Sequence, residues 1–251
     1  MVKTKQYLIT VEEGKRLISR AVAHMDAVQK AAAEHTLVIV AGTTNGYLAE
    51  AMLDQLGERG DFTRVGFRRG VNTVPGHPAP TGPFSATDVV IRAGKWLRGK
   101  TINDVAPEMG AGDVIVKGAN ALQPDRKVAG IQIGHPQFGT TAPILTAVLG
   151  RRVRLVIPVG LEKRVLGSIA ELAALVNAPE ASGTRLQPVV GDIVTELEAI
   201  EQLTGARAAL VAAGGIEGAE GSCIIAVSGT DEQLESADTL MQNIRAAESR
   251  A

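Results

Sequence analysis

The chain has 251 residues, 45% of them hydrophobic, and a net charge of −1. That length suits one large domain, or a large domain with a small one, and the near-neutral balance excludes broad electrostatic binding to nucleic acid or a membrane surface. A single cysteine, Cys223, excludes an intramolecular disulfide framework and a cysteine-based metal cluster.

Aromatic residues make up only 3% of the chain, so the core must be built from Ala, Val, Leu and Ile, the usual filling of α/β layers. No run approaches the ~18 apolar residues of a membrane span, and Met1 to Lys5 lead into no apolar signal region. The expectation is a soluble, cytoplasmic protein.

Val11 to Glu34 has helical periodicity, with Leu17, Ile18, Ala21, Val22, Met25, Val28 and Ala32 on one side. A strand is predicted over Thr36 to Ala41. It runs into Gly42-Thr43-Thr44-Asn45-Gly46 and a helix to about Leu56. This reads as strand, glycine turn and helix N-terminus. Such a terminus presents unpaired N–H groups and a partial positive charge, and glycine lets backbone approach a ligand.

Gly70 to Pro83 is rich in proline and glycine and is predicted to be irregular. A loop of this length reads as a functional flap, expected to lie over the strand ends that carry Gly42 and Gly118. Arg64, Arg68 and Arg69 precede it and Arg92 follows it; they suit a phosphate or carboxylate, or form a solvated cluster.

Strands are predicted over Asp88 to Ala93 and Asp113 to Gly118, with a short capped helix between them at Thr101 to Glu108. A further strand, Val128 to Ile133, leads to a second copy of the turn tripeptide, Gly139-Thr140-Thr141, and a helix through Leu149. A strand within Arg151 to Val159 and a helix from Ile169 to Val176 follow. Short apolar strands alternating with helices predict a parallel-dominated, Rossmann-like sheet with helices on both faces.

Asn177 to Thr184 reads as a linker. Beyond it come strand Arg185–Val190, helix Ile193–Leu203, strands Ala206–Ala213 and Ser222–Ser228, and helix Asp231–Ala246. That order predicts a small C-terminal ferredoxin-like α+β domain at 184–251, separate from an α/β domain at 1–178.

The segment Lys117-Gly118-Ala119-Asn120-Ala121-Leu122-Gln123-Pro124-Asp125, with Val128, Gly139-Thr140 and Arg152 to Pro158, resembles a pattern of the NagB/RpiA/CoA-transferase-like superfamily. The nearest flavours are the initiation-factor-2B, sugar-phosphate isomerase and lactate-utilisation branches. Val40 to Leu48 is similar to the phosphate loop of ribose-5-phosphate isomerase. The resemblance covers roughly residues 36–176 at motif level. It implies a phosphometabolite site with isomerase- or transferase-like chemistry. Asn120 stands where the isomerases carry an acid, and an amide cannot act as a general base. A non-catalytic sensor that has lost the catalytic acid is therefore the alternative. A plain dinucleotide-binding protein fits less well, because Gly42 to Gly46 lacks G-x-G-x-x-G.

The expected catalytic groups are Lys117, at a strand end, and the loop histidines His77 and His135. The expected ligand-binding residues are Gly42, Thr43, Thr44, Asn45, Gly46, Gly118, Asn120, Gly139, Thr140 and Thr141. Plainer readings of these residues are ordinary helix capping, a surface lysine and loop histidines without a role. His24, His35, His77 and His135 show no metal-ligand spacing, and neither metal nor cofactor is expected. The expected partner is a small anionic metabolite, with no nucleic acid or membrane, and the protein is expected to be a homo-oligomer.

Overall fold

The computed structural model describes residues 2–70, 72–73 and 81–248. In chain order the elements begin with β1 (Lys3–Ile9), α1 (Val11–Ala23), α2 (Asp26–Glu34), β2 (Thr36–Ile39), α3 (Thr43–Gln55), β3 (Val89–Arg92), β4 (Lys95–Trp96) and α4 (Ile102–Val105). Next are β5 (Val114–Val116), β6 (Ala121–Gln123), β7 (Val128–Ile133), α5 (Thr141–Arg151), β8 (Arg154–Pro158) and α6 (Ile169–Asn177). Last come β9 (Arg185–Val189), β10 (Asp192–Val194), α7 (Glu196–Thr204), β11 (Arg207–Ala213), β12 (Cys223–Gly229) and α8 (Asp231–Glu248).

The main sheet has six strands in the order β10-β8-β5-β2-β3-β4. The first four run parallel; β3 and β4 join antiparallel at one edge. All residues of β2 and β5 are buried. Alternate residues of a strand point to opposite faces, so an unbroken buried run means that both faces are covered. Helix α2 packs against β2, β3 and β5, and α1 packs against β8, β10 and the neighbouring helices α3 and α7. The fold is therefore mixed α/β around a mostly parallel sheet.

Two smaller sheets correct the sequence-based organisation. Strand β7, expected in the parallel sheet, is the middle strand of an antiparallel sheet β6-β7-β9. Only Pro124 to Lys127 separate β6 from β7, with Lys127 at φ 49°. So short a connection permits a hairpin and forbids a parallel crossover. The second small sheet, β1-β12-β11, is antiparallel throughout and takes its outer strand from the N-terminus.

The expected boundary between 1–178 and 184–251 is crossed by these pairings. Strand β9 pairs with β7, β10 extends the main sheet beside β8, and β1 pairs with β12. Pro179 to Gly183 do form an exposed connection, but it links α6 to β9 within the packed body. The predicted helix Ile193–Leu203 divides at Thr195. Ile193 and Val194 are β-branched and belong to β10. Thr195 then starts α7 with a capping box: its Oγ1 accepts from Leu197 N at 3.1 Å, and Glu198 Oε2 accepts from Thr195 N at 3.0 Å. The same device, Thr10 with Glu13, starts α1.

Candidate functional site

The parallel strands bring their carboxyl ends to one side of the sheet, where loops gather and ligands bind in open α/β sheets. A cleft of about 900 Å³ lies there. It is lined by Gly42, Thr43, Thr44 and Asn45 after β2, by Lys117, Gly118 and Asn120 after β5, and by His135, Gly139, Thr140 and Thr141 between β7 and α5. These loops, separated by up to a hundred residues in the chain, line one cleft.

Two expected residues stand apart. Gly46 lies one turn into α3, outside the cleft lining; an added Cβ there would sit 3.2 Å from Arg64 Cγ, so its small size serves packing. His77 lies outside the described residues. Of the loop expected to cover the strand ends, Gly70, Asn72 and Thr73 line the cleft, and Asn72 Nδ2 donates to Gln132 Oε1 at 2.6 Å.

Both tripeptide turns present a helix N-terminus to the cleft. Gly42 caps α3 and Thr140 caps α5, and neither helix has a side-chain cap. The first-turn N–H groups of α3 are therefore open to a ligand, whereas at α5 Thr141 N and Ala142 N already donate to Phe138 O and Gly139 O at 3.3 and 3.4 Å and Pro143 has no N–H. The second turn is the tighter one. Phe138 and Gly139 are both left-handed, at φ 68° and 54°, before Thr140 returns to φ −65°. Successive N–H groups in such a left-to-right backbone form an anion-binding concavity. Gly42 differs: its φ of −176° is open to any residue, and an added Cβ would meet nothing nearer than 3.8 Å. Gly118 has comparable room, with Pro158 O at 3.6 Å. At both positions the missing side chain leaves space in the cleft that the protein does not fill.

The charge of the lining is one-sided. Arg68, Arg69, Lys117 and Lys163 line the cleft, and no aspartate or glutamate does among the described residues. Of the arginines flanking the loop, Arg64 instead pairs with Glu50 and lies over the Tyr47 ring, while Arg92 pairs with Glu108. Lys117 is half-buried, and its Nζ donates to Gly118 O at 3.3 Å. Burial lowers its pKa from the ordinary 10.5 to about 8. Asp88 opposes that shift, and the cations Lys163 and Arg69 add to it.

Asp88, which the sequence offered only as the start of a strand, organises this wall. It is 1% exposed. Its Oδ1 accepts from Ala41 N at 2.9 Å and lies 3.0 Å from the Arg69 guanidinium; its Oδ2 accepts from Ile102 N at 2.8 Å. One carboxylate thus ties the first turn, the start of α4 and Arg69 together. Asn45, 1% exposed, donates from Nδ2 to Val40 O and Val116 O at 2.7 and 3.2 Å, which leaves its Oδ1 without a protein partner. His135 is exposed at the rim; its Nδ1 accepts from Gln137 N at 3.1 Å, so in the neutral ring the proton sits on Nε2. Lys163, on the helical turn after β8, and Asn103, Gln132 and Gln137 were missed. The charged turn following the apolar run Leu155–Pro158 was the one available signal for Lys163.

A buried acid stands at the end of β10. Glu196 is 3% exposed, and its Oε2 accepts from Leu161 N at 2.9 Å. Burial pushes its pKa from 4.5 up to about 7, with Glu162 adding to the rise and backbone donors and Lys163 opposing it. The native state therefore holds this proton where the unfolded chain has lost it. Stability should fall as pH rises from about 4.5 to about 7, with the full penalty present above 7. Glu196→Gln should stabilise the protein by about 3 kcal/mol at pH 8 and by under about 1 kcal/mol at pH 5. Urea unfolding at both pH values checks this; parallel pH profiles for the two proteins would contradict it.

No cluster of three or more His, Cys, Asp or Glu side chains among the described residues is placed to hold a metal ion. No protein-family model, curated protein or solved structure matches the chain.

Proposed function

We propose that the protein binds a small phosphorylated or carboxylated metabolite, of sugar-phosphate or nucleotide type, in the cleft at the strand ends. The observation that carries this reading is the lining itself: four cationic side chains, the open N-terminus of α3 and the left-handed turn at Phe138 and Gly139, with no carboxylate among the described lining residues. In a chain of net charge −1, such a concentration of positive charge in one concavity focuses the field on an anion. The space beside Gly42 and Gly118 suits close approach of the ligand to backbone.

The four parallel strands support a Rossmann-like body. The small sheet β1-β12-β11, with its middle strand antiparallel to both neighbours, supports a ferredoxin-like unit that the N-terminal strand completes. The motif-level resemblance to the NagB/RpiA/CoA-transferase-like superfamily makes isomerase- or transferase-like chemistry the enzymatic version. Asn120 favours the second version, a metabolite sensor without catalysis: its Oδ1 accepts from Gln132 N at 3.1 Å and offers no acid. The reading takes the protein as a cytoplasmic homo-oligomer without nucleic-acid or membrane partners. No helix among the described residues is long and apolar enough to cross a membrane.

A thermal-shift screen of sugar phosphates, nucleotides, CoA esters and small carboxylates should find a stabilising anion, because a ligand of the native state raises its stability by mass action. Calorimetric titration of that anion into Lys117→Ala should show affinity weakened by about 1.5–3 kcal/mol, the range for a charged hydrogen bond. Unchanged affinity would remove the cleft as the binding site.

A further inference from the structure

We propose that Lys117 is a nucleophile whose amine condenses with the carbonyl of an anionic aldehyde or ketone held in the cleft, forming an imine. This rests on the anion-binding reading above and adds a substrate class: carbonyl compounds that bear a phosphate or a carboxylate.

Lys117 follows β5 directly, at the carboxyl end of a central strand of the sheet, with Gly118 and its open space beside it. Its backbone is held by a hydrogen bond from its N to Val156 O at 3.0 Å. Its Nζ makes one hydrogen bond, a long one to Gly118 O, and among the described residues no carboxylate forms an ion pair with it. The acid within its electrostatic reach, Asp88, is already engaged by Arg69 and two backbone N–H groups. An amine held this way is fixed at its root and uncommitted at its tip.

Its surroundings also favour the reactive form. A lysine is activated as a nucleophile by a desolvated pocket or by a second cation nearby, and Lys117 has both, with Lys163 and Arg69 acting on it. With a pKa of about 8, about a tenth of the amine is neutral at pH 7, against a few parts in ten thousand for an ordinary lysine. Lys163 lacks this setting, because Glu162 lies 3.7 Å from its Nζ.

The chemistry closes without a redox partner. The Nζ lone pair attacks the carbonyl carbon, and the C=O π pair moves to oxygen, which takes a proton from water. Nitrogen releases a proton to water. The new hydroxyl then leaves as water with one further proton while the nitrogen lone pair forms the C=N bond, and the iminium nitrogen returns its remaining proton to water. One amine and one carbonyl yield one imine and one water.

The probe is pyridoxal 5′-phosphate, an aldehyde that carries a phosphate, reduced with borohydride after brief exposure and located by peptide mass mapping. One adduct per chain is expected, on Lys117. Pyridoxal, which lacks the phosphate, should label Lys117 at least tenfold more slowly, and inorganic phosphate should protect it. Lys117→Arg, shown folded by circular dichroism, should carry no adduct in that peptide and none in its place elsewhere. Label spread over surface lysines, label on Lys163, or undiminished labelling in Lys117→Arg would overturn the proposal, and the wild-type map and phosphate protection decide it even if the variant does not fold. A melting temperature unmoved by inorganic phosphate or by any anion of the screen removes the binding reading beneath it. A melting temperature raised by phosphate with Lys117 unlabelled removes the imine alone.

Discussion

Asp88→Ala is expected to cost about 3–5 kcal/mol of folding stability, the range for removing one partner of a buried ion pair, and to abolish anion binding in the cleft. Arg69 is the smaller part of that cost, because its side chain keeps a quarter of its surface in water and can be rehydrated. The larger part comes from the N–H groups of Ala41 and Ile102, both buried residues, which would lose their acceptor. Each orphaned donor costs about 1–3 kcal/mol. Binding falls with stability because the same carboxylate holds the turn before α3 and orients Arg69. Asp88→Asn keeps the shape and one acceptor oxygen, so it should cost about half as much. Urea denaturation with calorimetric titration of phosphate measures both effects. A loss below about 1 kcal/mol in Asp88→Ala would show that the two N–H groups find other partners, and that the carboxylate does not organise the site.

Phe67→Ala should cost a comparable 3–5 kcal/mol, as large-to-small substitutions of buried aromatics do. Phe67 is 1% exposed and meets Phe62 edge to face, with ring centroids 5.2 Å apart. Phe62 in turn contacts Phe84 and Trp96 at 5.1 and 5.9 Å. Four of the chain's seven aromatic residues are thus spent on one cluster, in a protein whose core is otherwise mostly aliphatic. The cluster joins Phe62, Phe67 and Phe84, from the connection between α3 and β3, to Trp96 of β4, and the residues immediately after Phe67 are the cleft arginines Arg68 and Arg69. Removing the ring should therefore weaken phosphate binding as well as folding, whereas Phe67→Leu should restore most of the stability. Thermal unfolding of both variants, with and without phosphate, separates the effects. Full phosphate stabilisation in a destabilised Phe67→Ala would show that the arginines do not depend on this anchor.

The parts of the molecule legible in the amino-acid order are those whose cause is local. Leu37 to Gln55 reads as strand, turn and helix because an apolar run meets glycine and then an amphipathic stretch, all within twenty residues. Asp113 to Gly118 reads as a strand that ends in a glycine for the same reason. Once such units are placed in a parallel sheet, their turns must gather at the carboxyl ends, so the meeting of Gly42 and Lys117 followed from local pattern and the handedness of the fold, whereas Gly139 reaches the same cleft from β7 in the antiparallel sheet.

Tertiary structure decided what depends on partners remote in sequence. Strand β1 buries only Tyr7 and Ile9 of its seven residues. Its reason to be a strand is β12, more than two hundred residues away, and α8, whose Asp238 accepts from Tyr7 Oη at 2.8 Å. Strand β10 is three residues long and borrows its regularity from β8. Neither carries enough periodicity to announce itself, and for that reason a loop between α6 and β9 passed for a domain boundary. Asp88 is the same case at the level of one side chain. Beside Thr87 and Val89 it is an unremarkable carboxylate; its role exists only because folding brings Ala41, Ile102 and Arg69 within hydrogen-bonding distance in a buried site, where an acceptor without donors would be too costly to keep.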